Sequence, residues 1–270
     1  MVGILRQSAS PVTFRMLTLR PLPAFEDNYI WTLSAPDGRA IVVDPGEAAP
    51  VLEAAEAGIV PVAILLTHHH PDHVGGAGEL LARFDIPCYA PVDERIRHAT
   101  QRVSEGDRIR IDALGLELSV SEIPGHTLTH IAFHGGGYLF CGDTLFSLGC
   151  GRLFEGSPAQ MLASLERLSG LPGETLVCCG HEYTQSNGRF AAVAEPHNPA
   201  RDARLAEVAM LRERGQPSLP STLASERDCN PFLRVDQPGL LASLRARGTA
   251  SNDRIAAFAA LRAWKDGFAG

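Results

Sequence analysis

Residues 67–73 read Thr-His-His-His-Pro-Asp-His. Imidazoles at 68, 70 and 73 and a carboxylate at 72 therefore fall within one short stretch. Imidazole nitrogen and carboxylate oxygen are the donors that Zn²⁺, Fe²⁺ and Mn²⁺ accept. His68 and His70 are two apart and can face one ion, while Asp72 and His73 can turn to a second. A lone loop histidine is usually only solvated. Several imidazoles and a carboxylate crowded together lose water at a cost that a cation offsets.

Three more candidate donors stand just past strand-like runs. They are His126 in Ile-Pro-Gly-His-Thr, Asp143 in Phe-Cys-Gly-Asp-Thr and His181 in Cys-Cys-Gly-His-Glu. A glycine precedes each and permits a sharp exit from the strand. Singly, each is a loop histidine or a capping aspartate; the threefold recurrence points to a shared site. His69 is expected to point to the other side of its loop and His130 to pack against it. His98, His134 and His197 read as surface or turn residues. No G-x-S-x-G or C-x-x-C occurs, and Gly135–Gly137 reads as a hairpin turn rather than a phosphate loop.

The elements that must position these groups come mostly as strands. Tyr29–Ser34 and Ala40–Val43 flank Ala35-Pro36-Asp37-Gly38 and predict a hairpin. Val62–Leu66 is a continuous apolar run and predicts a buried strand leading directly into residues 67–73. Further strands are expected at Arg108–Ile111, Leu116–Val120, Ile131–His134, Tyr138–Cys141 and Thr175–Cys179. Helices are expected at Pro50–Ala57, Gly75–Phe84 and from Ser157 to about Ser169. Beyond about Thr184 the spacing turns helical, over Arg201–Arg214, Gly239–Arg247 and Asn252–Asp266. The expectation is an α+β fold, a sheet-on-sheet sandwich covered by helices, with a small C-terminal helical domain.

The chain has 270 residues, 45% hydrophobic and 20% charged, with net charge −7. A chain this long buries a core without disulfides. The six cysteines have no framework spacing and read as reduced, buried thiols, which suggests the cytoplasm. No apolar run is long enough to span a bilayer. The acidic balance argues against nucleic-acid partners, and a monomer is expected. Residues 1–15 read as a disordered extension.

His-x-His-x-Asp-His at 68–73, followed in order by His126, Asp143 and His181, resembles the metallo-β-lactamase superfamily. The resemblance implies an αββα sandwich over residues 16–184, with a two-metal site at one edge and Asp44 supporting the metal loop without being a ligand. Further runs are similar to the hydroxyacylglutathione hydrolase (glyoxalase II) branch. These are Phe25–Trp31, Gly142–Gly156, Gly180–Thr184, Asn230–Arg234 and the Arg262/Lys265 pair. That branch implies His68, His70 and His126 on one metal, Asp72, His73 and His181 on the other, and Asp143 bridging. Asp72 and Asp143 are then the catalytic carboxylates. Arg152, Tyr183, Arg262 and Lys265 are implied as glutathione contacts, in a helical substrate-binding domain over 185–270 and its neighbourhood. Position 154 is Phe where some members have Tyr, and position 152 is Arg where some have Lys.

The implied reaction is hydrolysis of S-D-lactoylglutathione to glutathione and D-lactate, the second step of methylglyoxal detoxification. The implied cofactors are two divalent ions, zinc foremost, with iron or manganese as substitutes. The competing readings are a lactonase, a β-lactamase or a glutathione-linked persulfide dioxygenase. A non-catalytic metal-binding module is the least favoured.

Overall fold

A computed structural model describes residues 16–249 and 253–269, so the expectation for residues 1–15 lies outside it. The first sheet holds β1 (Thr18–Ala24), β2 (Asn28–Ser34), β3 (Arg39–Val43), β4 (Val60–Leu65), β5 (Cys88–Pro91) and β6 (Gln101–Val103), in that order. The second sheet draws on β7 (Arg108–Ile111), β8 (Leu116–Glu122), β9 (Ile131–Gly135) and β10 (Tyr138–Gly142). A small ribbon of β11 (Leu145–Phe146) and β12 (Gly149–Cys150) interrupts it before β13 (Leu176–Cys179) and β14 (Ser221–Thr222). Its order is β14-β13-β10-β9-β8-β7.

Alternation along the strands decides the layers. Trp31, Leu33, Ile41, Val43 and Leu65 point inward and share one cluster with Phe133, Leu139 and Val177 of the second sheet. Ile30, Val42, Ile64 and Leu66 point outward and are covered by α1 (Ala49–Glu56) and α3 (Ala77–Arg83), with the single turn α2 (Pro71–Val74) between them. On the far side, α4 (Pro158–Ser169) starts in a Ser157/Gln160 capping box and lays Met161, Leu165 and Leu168 on the core. The result is an αββα sandwich, as the sequence predicts.

The predicted hairpin forms, with β2 antiparallel to β3 across residues 35–38, but several other neighbouring strands are not hairpins. β3, β4, β5 and β6 run parallel, as do β10 and β13. Their crossovers carry α1, α3 and α4, close to the three helices expected from the sequence, and a loop joins β5 to β6. The expected Gly75–Phe84 helix begins at Ala77, because Gly75 and Gly76 pack against the backbone of Gly46 and Glu47, with no room for a Cβ.

The chain after 184 forms α5 (Thr184–Ala194), α6 (Pro199–Glu213), α7 (Leu223–Cys229), α8 (Pro238–Ala246) and α9 (Arg254–Asp266). Leu240, Leu244, Phe258 and Leu261 join the same core as the sheets, and β14 adds a strand to the second sheet. The two sheets also touch directly at one end. Tyr29 N donates to Gly180 O at 2.8 Å and Trp31 Nε1 to Cys179 O at 2.8 Å. That end carries the candidate donors.

Candidate metal centre

Residues 66–73 leave the C-terminal end of β4. Asp143 follows β10, His181 follows β13, and His126 sits four residues beyond β8. All seven sequence-predicted donors converge. His70 Nδ1 lies 3.1 Å from His68 Nε2 and 3.0 Å from His126 Nε2. Asp72 Oδ2 lies 3.4 Å from both His73 Nε2 and His181 Nε2. Asp143 joins the two groups. Its Oδ1 is 3.3 Å from His73 Nε2, and its Oδ2 is 3.2 Å from His181 Nε2 and 3.5 Å from His126 Nε2.

The glycines before these donors serve two different needs. Gly142 has φ of +45°, and a Cβ there would lie 2.3 Å from Thr67 Oγ1. Gly180 has no such dihedral, but a Cβ there would meet Asp143 Oδ1 at 2.6 Å.

What lies behind each imidazole fixes its proton. Thr67 Oγ1 donates to Asp44 Oδ2 at 2.7 Å, so it accepts from His68 Nδ1 at 3.0 Å. Asp44 Oδ2 also accepts from His73 Nδ1 at 3.0 Å. His126 Nδ1 donates to Arg152 O at 2.9 Å, and His181 Nδ1 to Asp27 Oδ1 at 2.8 Å. With those protons on the far side, the Nε2 lone pairs of His68, His73, His126 and His181 all face the interior of the cluster. His73 Nε2 and Asp143 Oδ1 are buried and make no hydrogen bond there. Ring nitrogens and carboxylate oxygens aimed at common points fit divalent metal ions, which take the place of any proton held between them.

Electrostatics divide the two donor groups: His68 and His70 are held neutral, whereas the carboxylates around His73 and His181 hold protons there. Burial, with His73 and His130 close by, pushes His68 well below its usual value. Burial and His126 push His70 down to about 4. Burial opposes protonation of His181, but Asp143 outweighs it and raises the group to about 10 in the ion-free chain. Burial likewise works against a charged Asp143. His73 and His181 overcome it and hold the carboxyl well below the usual carboxylate range.

Sequence reasoning correctly set His69 and His130 apart from the donors. His69 turns away toward Asp93 and Glu155. His130 is buried and stacks on His68, with ring centroids 4.5 Å apart. Its Nε2 accepts from Asp143 N at 3.2 Å. Sequence reasoning missed Asp27, Asn28 and Thr67. Asn28 Nδ2 donates to Asp72 Oδ2 at 3.0 Å. The one available signal for Asp27 and Asn28 was their place in the run Phe25–Trp31, which carried no role by itself.

A cavity of about 470 Å³ runs from His126 and Asp143 to Arg152, Tyr183, Arg262 and Lys265. Tyr183 stacks on His181, centroids 4.6 Å apart. Arg152 is two-thirds exposed. Arg262 is buried, not on a solvated helix face. It donates to Cys150 O at 2.8 Å and Asp266 Oδ1 at 3.0 Å and lies over the Phe232 ring. Lys265 lies half-buried over Phe190. Burial first, then the nearby Arg262, Arg189 and Arg152, push its ammonium down to about 8. All six cysteines are free and buried, as expected.

Comparison with known proteins places this geometry. Residues 29–181 match the family model of the metallo-beta-lactamase superfamily, and residues 182–268 match that of the hydroxyacylglutathione hydrolase C-terminus. A hydroxyacylglutathione hydrolase of Xanthomonas campestris pv. campestris (strain B100) is 53% identical over 255 residues, covering 93% of this chain and 99% of that protein. The crystal structure of BLEG-1 B3 metallo-beta-lactamase superposes with a TM-score of 0.59 and 25% identity over 81% of this chain and 99% of that one. The crystal structure of TTHA1623 in a di-iron-bound form gives 0.55 and 28% over 80% of this chain and 100% of that one. A seven-donor pocket on this sandwich, continued by the matched C-terminal helices, means that the chain belongs to the hydroxyacylglutathione hydrolase family of the metallo-β-lactamase superfamily.

Proposed function

We propose that the chain hydrolyses S-D-lactoylglutathione and related 2-hydroxyacylglutathione thioesters to glutathione and the free 2-hydroxy acid. The observation that carries this reading is one continuous cavity with metal donors at one end and a cationic end formed by Arg152, Arg262 and Lys265. Glutathione bears two carboxylates, and an acidic protein that binds it needs cations gathered at the mouth of the site.

His68, His70 and His126 would hold one ion, Asp72, His73 and His181 the other, and Asp143 would bridge them. When bound, the two ions supply Lewis acidity and bring water ionisation to near-neutral pH. The protein residues do the rest. Asp143, buried between both donor groups, keeps the two sets in register. Asp72 is partly exposed and held by Asn28, so its carboxylate would meet the second ion from the solvent side. Tyr183, flat on His181, walls the cavity beside the second donor group. Lys265 and Arg152 would seat the peptide carboxylates, with Arg262 pinning the last helix beneath them. A C–O bond forms between the water oxygen and the thioester carbonyl carbon, the water gives up a proton to solvent, and the C–S bond then breaks. The electron pair leaves on sulfur as a thiolate, which needs little acid assistance, and no side-chain nucleophile is required.

Zinc is our preferred pair of ions. The mixed nitrogen and oxygen donor set also suits iron or manganese, whose occupancy follows supply. We further propose a division of labour in which 16–184 carries the chemistry and 185–270 carries most of the glutathione contacts. Thiol release from lactoylglutathione by metal-loaded protein, run beside lactone, β-lactam and persulfide substrates, tests the reading. Preferred turnover of the thioester is the expected result; turnover of another substrate with no thiol release overturns it.

A further inference from the structure

His69 is the one histidine of residues 67–73 that faces away from the donors, and it faces a set of charges the proposed reaction does not use. Its Nδ1 is 3.6 Å from Asp93 Oδ2 and its Nε2 is 3.7 Å from Glu155 Oε1. Arg95 ties these two acids together. Its Nε and Nη2 donate to Asp93 at 2.9 and 2.7 Å, and its Nη1 donates to Glu155 Oε1 at 2.5 Å. Asp93 is buried and also accepts from Thr129 Oγ1 at 2.5 Å. Glu155 Oε2 accepts from Leu128 N at 2.8 Å.

These contacts reach the metal centre through the main chain. Leu128 and Thr129 lie just after His126. Phe154 N donates to His126 O at 3.2 Å, and His126 Nδ1 donates to Arg152 O at 2.9 Å. The Phe154 ring stands edge-on to His70 and His126, with centroids 5.6 and 5.2 Å away. Segment 152–156 thus orients one metal donor through Arg152 O and presents the Arg152 and Phe154 side chains to the cavity. It has no helix or strand of its own. Exposed ion pairs contribute little to stability. This one differs in having a buried carboxylate at its centre and in joining three separate loops.

We propose that Arg95 is a positioning residue: with Asp93 and Glu155 it locks segment 152–156 onto His126, and so sets both the first donor group and the cavity wall beside it. The metal half of this inference stands on geometry alone, while the substrate half rests on the proposed thioesterase reading. Arg95→Met and Glu155→Gln are compared with the unaltered protein, each loaded with two equivalents of zinc and titrated with a competing chelator.

The expected result is that one equivalent leaves at about ten-fold lower chelator concentration, toward the low end for groups behind a ligand. The other equivalent is expected to stay as in the parent, and KM for lactoylglutathione to rise at least three-fold. Arg95→Lys should recover part of both effects, since lysine meets one acid but not two at once. Arg110→Met, which breaks an exposed pair with Asp112, should change neither. Parent-like zinc release and KM in both Arg95→Met and Glu155→Gln would overturn the proposal. So would equal loosening of both equivalents together with a lower melting temperature. If the parent protein itself hydrolyses no thioester, the functional reading fails while the zinc comparison still decides the role of Arg95.

Discussion

Four of the five imidazoles in the candidate centre carry a proton on the side away from its interior because of the group behind each. Asp44 and Asp27 stand behind His73 and His181, while Thr67 and the Arg152 carbonyl stand behind His68 and His126. A carboxylate behind an imidazole makes it a better donor. Asp27→Asn is therefore expected to weaken zinc retention about ten-fold at the second donor group, read by chelator competition with elemental analysis.

Lys265 gives a pH signature. Its folded-state value near 8 means the cation is present below that pH and lost above it. KM for lactoylglutathione should climb as pH passes 8, while KM for a small neutral thioester stays level. Lys265→Met should raise KM about ten-fold, the loss of one charge-assisted contact, and remove the climb. Lys265 is the only lysine in the chain, so its titration can be followed as the one labelled lysine side chain in a peptide digest.

At the scale of elements, the donors are held by strand ends, and that much was legible before folding. The run Val62–Leu66 is apolar on both faces because it lies inside the first sheet, and residues 67–73 follow it without a linker. The strand–Gly–donor pattern was legible because chain crowding at Gly142 and Gly180 leaves no room for a side chain. Parallel pairing was not legible, because partners such as β10 and β13 are set by a crossover of more than thirty residues rather than by any local turn. Nor were the backing contacts. Asp27 and His181 lie 154 positions apart, and nothing near either announces the other. Gly142→Ala should cost at least about 2 kcal/mol in thermal or denaturant unfolding, from the positive φ and the clash with the Thr67 hydroxyl. It should also loosen zinc, since Thr67 orients His68.

At the scale of the molecule, the two sheets meet at the end where the donors sit. Ions bound there would link the first sheet, through residues 68–73, to the second, through Asp143 and His181. A ligand that binds only the folded state stabilises it by about 2.7 kcal/mol per site at a hundred-fold excess over its dissociation constant. Removing the ions should lower the melting temperature by about 5 °C or more in scanning calorimetry. Among the described residues no helix is long and apolar enough to cross a membrane.

The most direct single measurement is a metal titration of the stripped protein with thiol release from S-D-lactoylglutathione as the readout. Two equivalents should bind per chain, with thiol release rising to a plateau as the second is added, and Asp143→Asn should lose at least about a hundred-fold of that rate. Saturation at one equivalent, or thiol release that persists undiminished in the stripped protein, would contradict a centre built from two donor groups around Asp143.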